Sequence, residues 1–131
     1  MFDWLDLIDV GNTLAQNPNE AHIRSAITRY YYAIFSAIRE YLIYFKHQYQ
    51  FLSNKNIHQK VWKYLTLSKN SNENEIGEFL GKLRNIRNHA DYDKDFEYCE
   101  YLPKIQEKTE MTKNSINYLR SNPEMVIRWM N

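Results

Sequence analysis

Apolar residues recur every three or four positions along most of this chain, a spacing typical of amphipathic α-helices. Only three Gly and three Pro interrupt the pattern, and the sequence has no alternating β-branched runs of the kind that indicates strands. The pattern predicts helices over about residues 2–16, 20–48, 57–67, 73–92, 95–119 and 125–130. We therefore expect an all-α protein: an up-and-down bundle of about five helices in one domain, residues 1–131, with a short terminal helix that either caps the bundle or meets a partner.

The longest predicted helix, residues 20–48, is apolar around most of its circumference. A stripe of isoleucines and aromatic residues at helical spacing is joined there by the run Tyr30-Tyr31-Tyr32 and by Phe35. A helix with so little polar surface is expected at the centre of a bundle, in contact with several neighbours and with a second subunit.

Smaller features of the later helices add local expectations. Gly77 and Gly81 are four residues apart in the fourth helix, so they share one side, along which we expect another helix to approach closely. The Asn-rich residues 68–74 are expected to form a loop, and Pro103 is expected to kink the fifth helix. His58 is expected on the flank of the third helix, near Trp62.

Composition and charge limit the classes of function. At 131 residues with 44% hydrophobic content, the chain is long enough for one well-packed core. Its formal net charge of +1 provides no overall field toward nucleic acid, so such binding requires a local patch or two paired patches. The single cysteine, Cys99, excludes a disulfide framework within one chain. Acidic residues near the start and the lack of a long apolar run predict a cytoplasmic protein without membrane contact.

The richest candidate chemistry lies in the segment 84–93. On a helix, Leu83, Ile86 and Ala90 share an apolar face, and the polar side chains form an arc beside it. Such an arc can bind an anion and transfer a proton, because a guanidinium is a permanent cation and histidine titrates near neutrality. Its members are Arg84, Asn85, Asn88, His89 and Tyr92, with Arg87 toward the flank.

Simpler roles exist for the same residues. His89 near a helix end is stabilised by the helix dipole, and Asp91 and Asp93 are expected in salt bridges or a cap. Arg24 and Arg29 are expected either to pair with acids or to line the groove in which a ligand would bind. A His and an acid four residues apart occur together only at His89 and Asp93, and without a third ligand nearby we expect no metal site.

Two blocks resemble the HEPN family. Residues 24–35, RSAITRYYYAIF, are similar to the long-helix signature of that family, and residues 84–89, RNIRNH, match its motif of Arg, four to six residues, then His. Residues 90–93, ADYD, are similar to the ending of small stand-alone members. The order of the blocks also agrees, and the resemblance covers about residues 20–119.

The resemblance implies a homodimeric helical bundle that acts as a metal-independent endoribonuclease, often a toxin or phage-defence effector with an antitoxin partner. Arg84 and His89 would be catalytic, and RNA would contact Asn85, Arg87, Asn88, Tyr92 and Arg24. Two copies would supply the two proton-transfer groups needed to form a 2′,3′-cyclic phosphate, without metal or cofactor. In the subgroup paired with a nucleotidyltransferase antitoxin the motif continues His-x-Tyr; here Tyr92 is one residue further on, which argues against its nucleotidylation.

Two alternatives remain open. Some relatives are non-catalytic, and a homodimer of that kind would bind a nucleotide, an RNA or a partner protein through the same arginines. A purely structural helical adaptor would instead use the Tyr-rich helix and the segment around Trp129. RNA binding without cleavage would indicate the first alternative. Partner binding that stays unchanged when Arg84 and His89 are substituted would indicate the second.

Overall fold

The computed structural model describes residues 2–97 and 101–121 of the chain, and every regular element within them is helical. Five α-helices follow one another: α1 (Leu7–Ala15), α2 (Glu20–Tyr44), α3 (Ile57–Thr66), α4 (Ser71–Tyr92) and α5 (Leu102–Ser121). Short 3₁₀ turns, Trp4–Asp6 and Tyr49–Leu52, precede α1 and α3. The predicted helical bundle is confirmed; Cys99 and the predicted helix at 125–130 lie outside the described residues. None of the described helices is long and apolar enough to cross a membrane.

α2 is the central helix of the bundle. It contacts α1, α4, α5 and both 3₁₀ turns, and it begins where the Asn19 side chain accepts a hydrogen bond from the Ala21 N–H at 2.8 Å. Because its apolar residues surround most of the axis, burying them requires neighbours on several sides. The prediction of a central helix is confirmed by its buried residues: Ile23, Ala26, Ile27, Tyr30, Tyr31, Ala33, Ile34, Phe35, Ala37, Ile38, Tyr41, Leu42 and Ile43.

α4 lies close against α3 along the side that carries its two helical glycines. A β-carbon at Gly77 would meet Leu65, and one at Gly81 would meet the indole of Trp62. The expected close approach of a second helix is therefore confirmed. It fixes the register of α3 against α4, and so the position of side chains that α3 contributes to the surface of α4.

The first turn of α4 is held by a buried carboxylate. Glu73 is 0% exposed, and it accepts hydrogen bonds from Lys46 Nζ at 3.0 Å, the Tyr41 hydroxyl at 3.2 Å and the Ser68 hydroxyl at 2.9 Å. Asn70 caps the helix by accepting from two backbone N–H groups of that turn. Because of this cap, α4 begins at Ser71, and the loop expected over residues 68–74 is shorter than predicted.

Two other predicted boundaries differ from the structure. α5 begins at Leu102, seven residues later than expected, and Pro103 stands in its first turn, where its missing N–H needs no intrahelical partner. The kink expected at Pro103 is therefore wrong. α2 ends at Tyr44 and not near residue 48, and soon after it the backbone of His47 takes a left-handed conformation with φ of 55°.

The first and last described elements are joined. Asp3 accepts a hydrogen bond from the Leu5 N–H at 3.0 Å and two from the Arg120 guanidinium at 3.1 and 3.3 Å. Burial by itself would raise the pKa of the Asp3 carboxyl, but these hydrogen bonds and the Arg120 charge lower it below its ordinary value. The turn before α1 is thereby fixed to the end of α5.

Candidate functional site

The polar residues of the second half of α4 divide between two surfaces. Leu83 and Ala90 are buried in the core. Arg84, Arg87 and Asn88 are half-buried, whereas Asn85, His89 and Tyr92 are exposed. The arc predicted from the sequence thus has one side with two arginines against neighbouring helices and one open side that carries the histidine.

Arg87 lies over aromatic rings of α2. Its guanidinium carbon is 5.0 Å from the ring centre of Tyr31 and 5.7 Å from that of Tyr32, within the range of cation–π attraction. Its contacts with the Asp91 carboxylate and the Tyr32 hydroxyl are both 3.5 Å long, and its buried Nε has no hydrogen-bond partner. Asp91 is shared with Thr28, whose hydroxyl donates to it at 2.8 Å. Arg87 therefore keeps donor capacity that its neighbours do not use.

Arg84 is a half-buried cation without an acid. Its Nε is buried and lacks a hydrogen-bond partner, and none of the ion pairs within residues 2–97 and 101–121 includes it. Its charge acts on two neighbours: burial raises the pKa of Tyr31 and Arg84 only partly opposes that increase, whereas burial and then the Arg84 charge lower the pKa of His58. A guanidinium placed in this way, with unused donors and reduced hydration, favours an anion from outside the protomer.

The sequence did not indicate that His58 belongs to this group. The Tyr31 hydroxyl and His58 Nδ1 are hydrogen-bonded at 2.6 Å, and the imidazole is stacked on Phe35 with ring centres 4.1 Å apart. Burial, followed by the charges of Arg84, Arg87 and Arg39, lowers the pKa of His58 below its ordinary value. A signal was present: His58, Val61 and Leu65 share one stripe of α3. We call Tyr31, Tyr32, Phe35, His58, Arg84 and Arg87 the arginine–aromatic cluster.

His89 lies on the open side near the end of α4. Its side chain is 63% exposed, and Nδ1 is hydrogen-bonded to the carboxylate of Asp93, four residues later. When the neutral ring donates from Nδ1, Nε2 becomes the nitrogen that can accept a proton. No hydrogen bond joins His89 to Arg84 in the described part of the chain. One protomer therefore places the predicted catalytic pair on the same helix without a hydrogen bond between them.

Arg24, on α2, is hydrogen-bonded to backbone carbonyl groups at the end of α4. Its guanidinium donates to the carbonyl oxygens of Ala90 at 2.8 Å, Asp93 at 2.6 Å and Lys94 at 3.0 Å. These carbonyls have no intrahelical partner at a helix C-terminus, and a cation there also opposes the helix dipole. Arg24 thus positions the segment that carries His89 and Asp93, and its direct contact with a substrate stays a prediction.

Three other residues that the sequence predicts to contact substrate have side chains that are not hydrogen-bonded within the described structure. The side chains of Asn85, Asn88 and Tyr92 make no hydrogen bond to the rest of the described structure, and Tyr92 is 79% exposed. Comparison with protein-family models, curated proteins and solved structures gives no match for this chain. The groups that define the chemistry of the site are two guanidiniums with unused hydrogen-bond donors and an exposed imidazole that is hydrogen-bonded to a carboxylate.

Proposed function

We propose that this protein is a metal-independent endoribonuclease of the HEPN type, in which Arg84 binds the scissile phosphate and His89 transfers a proton. The observation that carries the proposal is the half-buried Arg84 guanidinium, which has no acid partner among residues 2–97 and 101–121, on the same helix as the His89–Asp93 pair. A partly buried cation without a counter-ion favours an anion as its ligand. A phosphodiester of RNA satisfies this requirement, and the neighbouring ribose 2′-hydroxyl offers a proton for His89 to remove.

The proposed reaction begins at the ribose. His89 Nε2 removes the proton of the 2′-hydroxyl, whose oxygen attacks the adjacent phosphorus. Arg84, with Arg87 beside it, stabilises the charge on the pentacoordinate phosphate. The bond from phosphorus to the 5′-oxygen breaks, a second acid protonates that oxygen, and the product carries a 2′,3′-cyclic phosphate. No metal or cofactor is required for these steps.

The proposal includes a homodimer. No hydrogen bond joins Arg84 and His89 within the described part of one protomer, and one copy presents a single exposed histidine on this surface. In a homodimer with its two-fold axis beside α4, each His89 would lie opposite the partner subunit's Arg84. The two copies of His89 would then provide an acid and a base. It would also bring four arginines into one cleft and give a chain of net charge +1 a locally basic surface for single-stranded RNA.

A ribonuclease of this kind would act in the cytoplasm as a toxin or phage-defence effector. Its activity would be restrained by an antitoxin, of the nucleotidyltransferase type or another. The exposed end of α4, with His89 and Tyr92, is the surface that such a partner would need to cover.

The test is incubation of the purified protein with tRNA and total RNA in EDTA. Wild type is expected to cleave and to leave 2′,3′-cyclic phosphate ends, and His89→Ala and Arg84→Ala are expected to lose cleavage. His47→Ala and Arg29→Ala are matched controls on exposed residues. All variants are checked for helicity and for dimer mass. No cleavage by the wild type, or equal cleavage by every variant, contradicts the proposal.

One observation favours a second candidate function, a non-catalytic homodimer that binds a nucleotide, an RNA or a partner protein. The arginine–aromatic cluster combines cations and rings, which suits binding, and His89 stands apart from it. In that case RNA binding would depend on Arg84 and Arg87, His89→Ala would bind as the wild type does, and no cleavage would occur.

A further inference from the structure

His58 belongs to α3, whereas the two arginines of the arginine–aromatic cluster belong to α4. Its ring is 5.6 Å from that of Tyr31 and 6.3 Å from that of Tyr32, between centres, and Arg87 lies over the same two tyrosines. The imidazole and the Arg87 guanidinium therefore share one aromatic surface. The charge of Arg84, also on α4, acts on both Tyr31 and His58.

The hydrogen bond from Tyr31 determines which nitrogen of His58 carries the proton. Burial raises the pKa of the Tyr31 hydroxyl to about 12, so this hydroxyl stays protonated at neutral pH. Its only hydrogen-bond partner in the described structure is His58 Nδ1, and we assign the hydroxyl as the donor and Nδ1 as the acceptor. With Nδ1 accepting, a neutral imidazole has its hydrogen on Nε2. Nε2 makes no hydrogen bond within residues 2–97 and 101–121, so this donor remains unused.

The surroundings also keep His58 uncharged. The ring is half-buried and stacked on Phe35, and the charged groups that act on it are Arg84 and Arg87 from α4 and Arg39 from α2. All three are cations. A positive charge on His58 would be the fourth, and it would be opposed by repulsion and by loss of hydration. His58 can therefore donate a hydrogen bond to an anion without being a cation itself.

We propose that His58 is a further binding residue of the site, and that its Nε2–H donates to a phosphate of single-stranded RNA held by Arg84 and Arg87. This inference rests on the proposed function and deepens it, because it places part of the phosphate site on α3. Tyr31 is the positioning residue: it fixes the tautomer of His58 and lies beneath Arg87. Phosphate matches the site because its several oxygens can accept from an imidazole and two guanidiniums together.

The experiment measures binding of a 2′-O-methyl oligoribonucleotide, which has no 2′-hydroxyl to attack and so reports binding apart from cleavage. His58→Phe keeps the aromatic stack but removes the donor, whereas His58→Gln provides an amide N–H near the position of Nε2. We expect His58→Phe to weaken binding about tenfold or more, and His58→Gln to retain most of the affinity. A purely packing role predicts the opposite order, because Phe fills an aromatic site better than Gln. His47→Phe is the control.

Nitrogen NMR of the His58 ring gives a second readout. We expect the Nε2–H tautomer in the wild type, a shift of Nε2 when the oligonucleotide is added, and a mixed tautomer in Tyr31→Phe. Equal binding by His58→Phe and wild type, no binding by the wild type, or equally strong binding of polyglutamate would each overturn the inference. Binding that depends on His58 in a protein that cleaves no RNA would support the inference while contradicting the proposed ribonuclease.

Discussion

Gly77 of α4 and Leu65 of α3 are so close that a β-carbon at Gly77 would stand 2.7 Å from the Leu65 Cβ and 3.2 Å from the backbone around it. At Gly81 the obstructing atom is the Trp62 Nε1, at 2.5 Å. The two contacts differ in kind. Leu65 Cβ and backbone atoms move only with the helix, whereas the indole of Trp62 is 41% exposed and can turn aside.

Alanine at these two positions should therefore have opposite effects. Overpacking in Gly77→Ala should cost about 1–3 kcal/mol of the free energy of unfolding. The gain of about 0.8–1 kcal/mol in helix propensity reduces the net loss to about 2 kcal/mol or less. Gly81→Ala should leave the free energy unchanged or raise it by up to about 1 kcal/mol. Denaturant titration of both variants measures the difference, and equal effects would show that the contact at Gly77 is not rigid.

Removal of the buried carboxylate should be among the most destabilising changes. Glu73→Ala leaves Lys46, Tyr41 and Ser68 without their acceptor, and we expect a loss of about 3 kcal/mol in the free energy of unfolding. Lys46→Met should cost less, because the lysine is partly exposed and the carboxylate keeps two hydroxyl donors. Glu78→Gln, on the exposed side of α4, is the control and should stay within about 0.5 kcal/mol of wild type.

Arg24 should contribute more to the free energy of unfolding than Arg29, the next arginine in the sequence. Arg24→Ala removes the guanidinium that meets three carbonyl oxygens at the end of α4, and about 1.5–3 kcal/mol should be lost. Arg29 is exposed, and Arg29→Ala should be nearly neutral. Hydrogen exchange provides a local test: Arg24→Ala should speed exchange at residues 89–93 with little change at residues 76–80. Uniform acceleration would instead indicate general destabilisation.

Acid should weaken the fold in a way that depends on His58. Its pKa is lowered from the ordinary value of 6.5 by burial and by the charges of Arg84, Arg87 and Arg39. Between the folded and unfolded pKa values the unfolded chain binds more protons, so stability falls as the pH drops from 6.5 through the folded value. Unfolding followed between about pH 7.5 and pH 5 should show a smaller slope in His58→Gln than in wild type. His47→Gln should keep the wild-type slope, and an unchanged slope in His58→Gln would contradict the assignment.

Asp93 should matter for the proposed ribonuclease through its hold on the His89 ring. Asp93→Asn removes the carboxylate that accepts from Nδ1, and we expect kcat to fall about tenfold, less than the 10²-fold or greater loss expected for His89→Ala. KM for RNA should change little. Asp95→Asn, a nearby exposed acid, is the control. An unchanged kcat in Asp93→Asn would show that His89 needs no orienting partner.

Sequence patterns predicted helix positions well where hydrophobic spacing decides them. The central place of α2 followed from its apolar circumference, and the close approach of another helix, though not its identity as α3, followed from Gly77 and Gly81. An acid partner for Arg24 was expected and Glu20 is one, but its three carbonyl partners could not be predicted, because backbone carbonyls have no sequence signature. The contact between His58 and Tyr31 depends on how α3 is placed in the bundle, and the stripe on α3 does not determine that placement. For the same reason the predicted polar arc did not reveal that Arg84 and His89 would face different surroundings.

The contact between Asp3 and Arg120 has a consequence for how the chain acquires its structure during synthesis. The two residues are 117 positions apart, so the turn before α1 cannot meet its ionic partner until Arg120 has left the ribosome. The apolar surface of α2 is made before α4 and α5, which cover it. Slower translation of the residues after α2 would thus prolong the exposure of the tyrosine-rich helix and favour association between nascent chains.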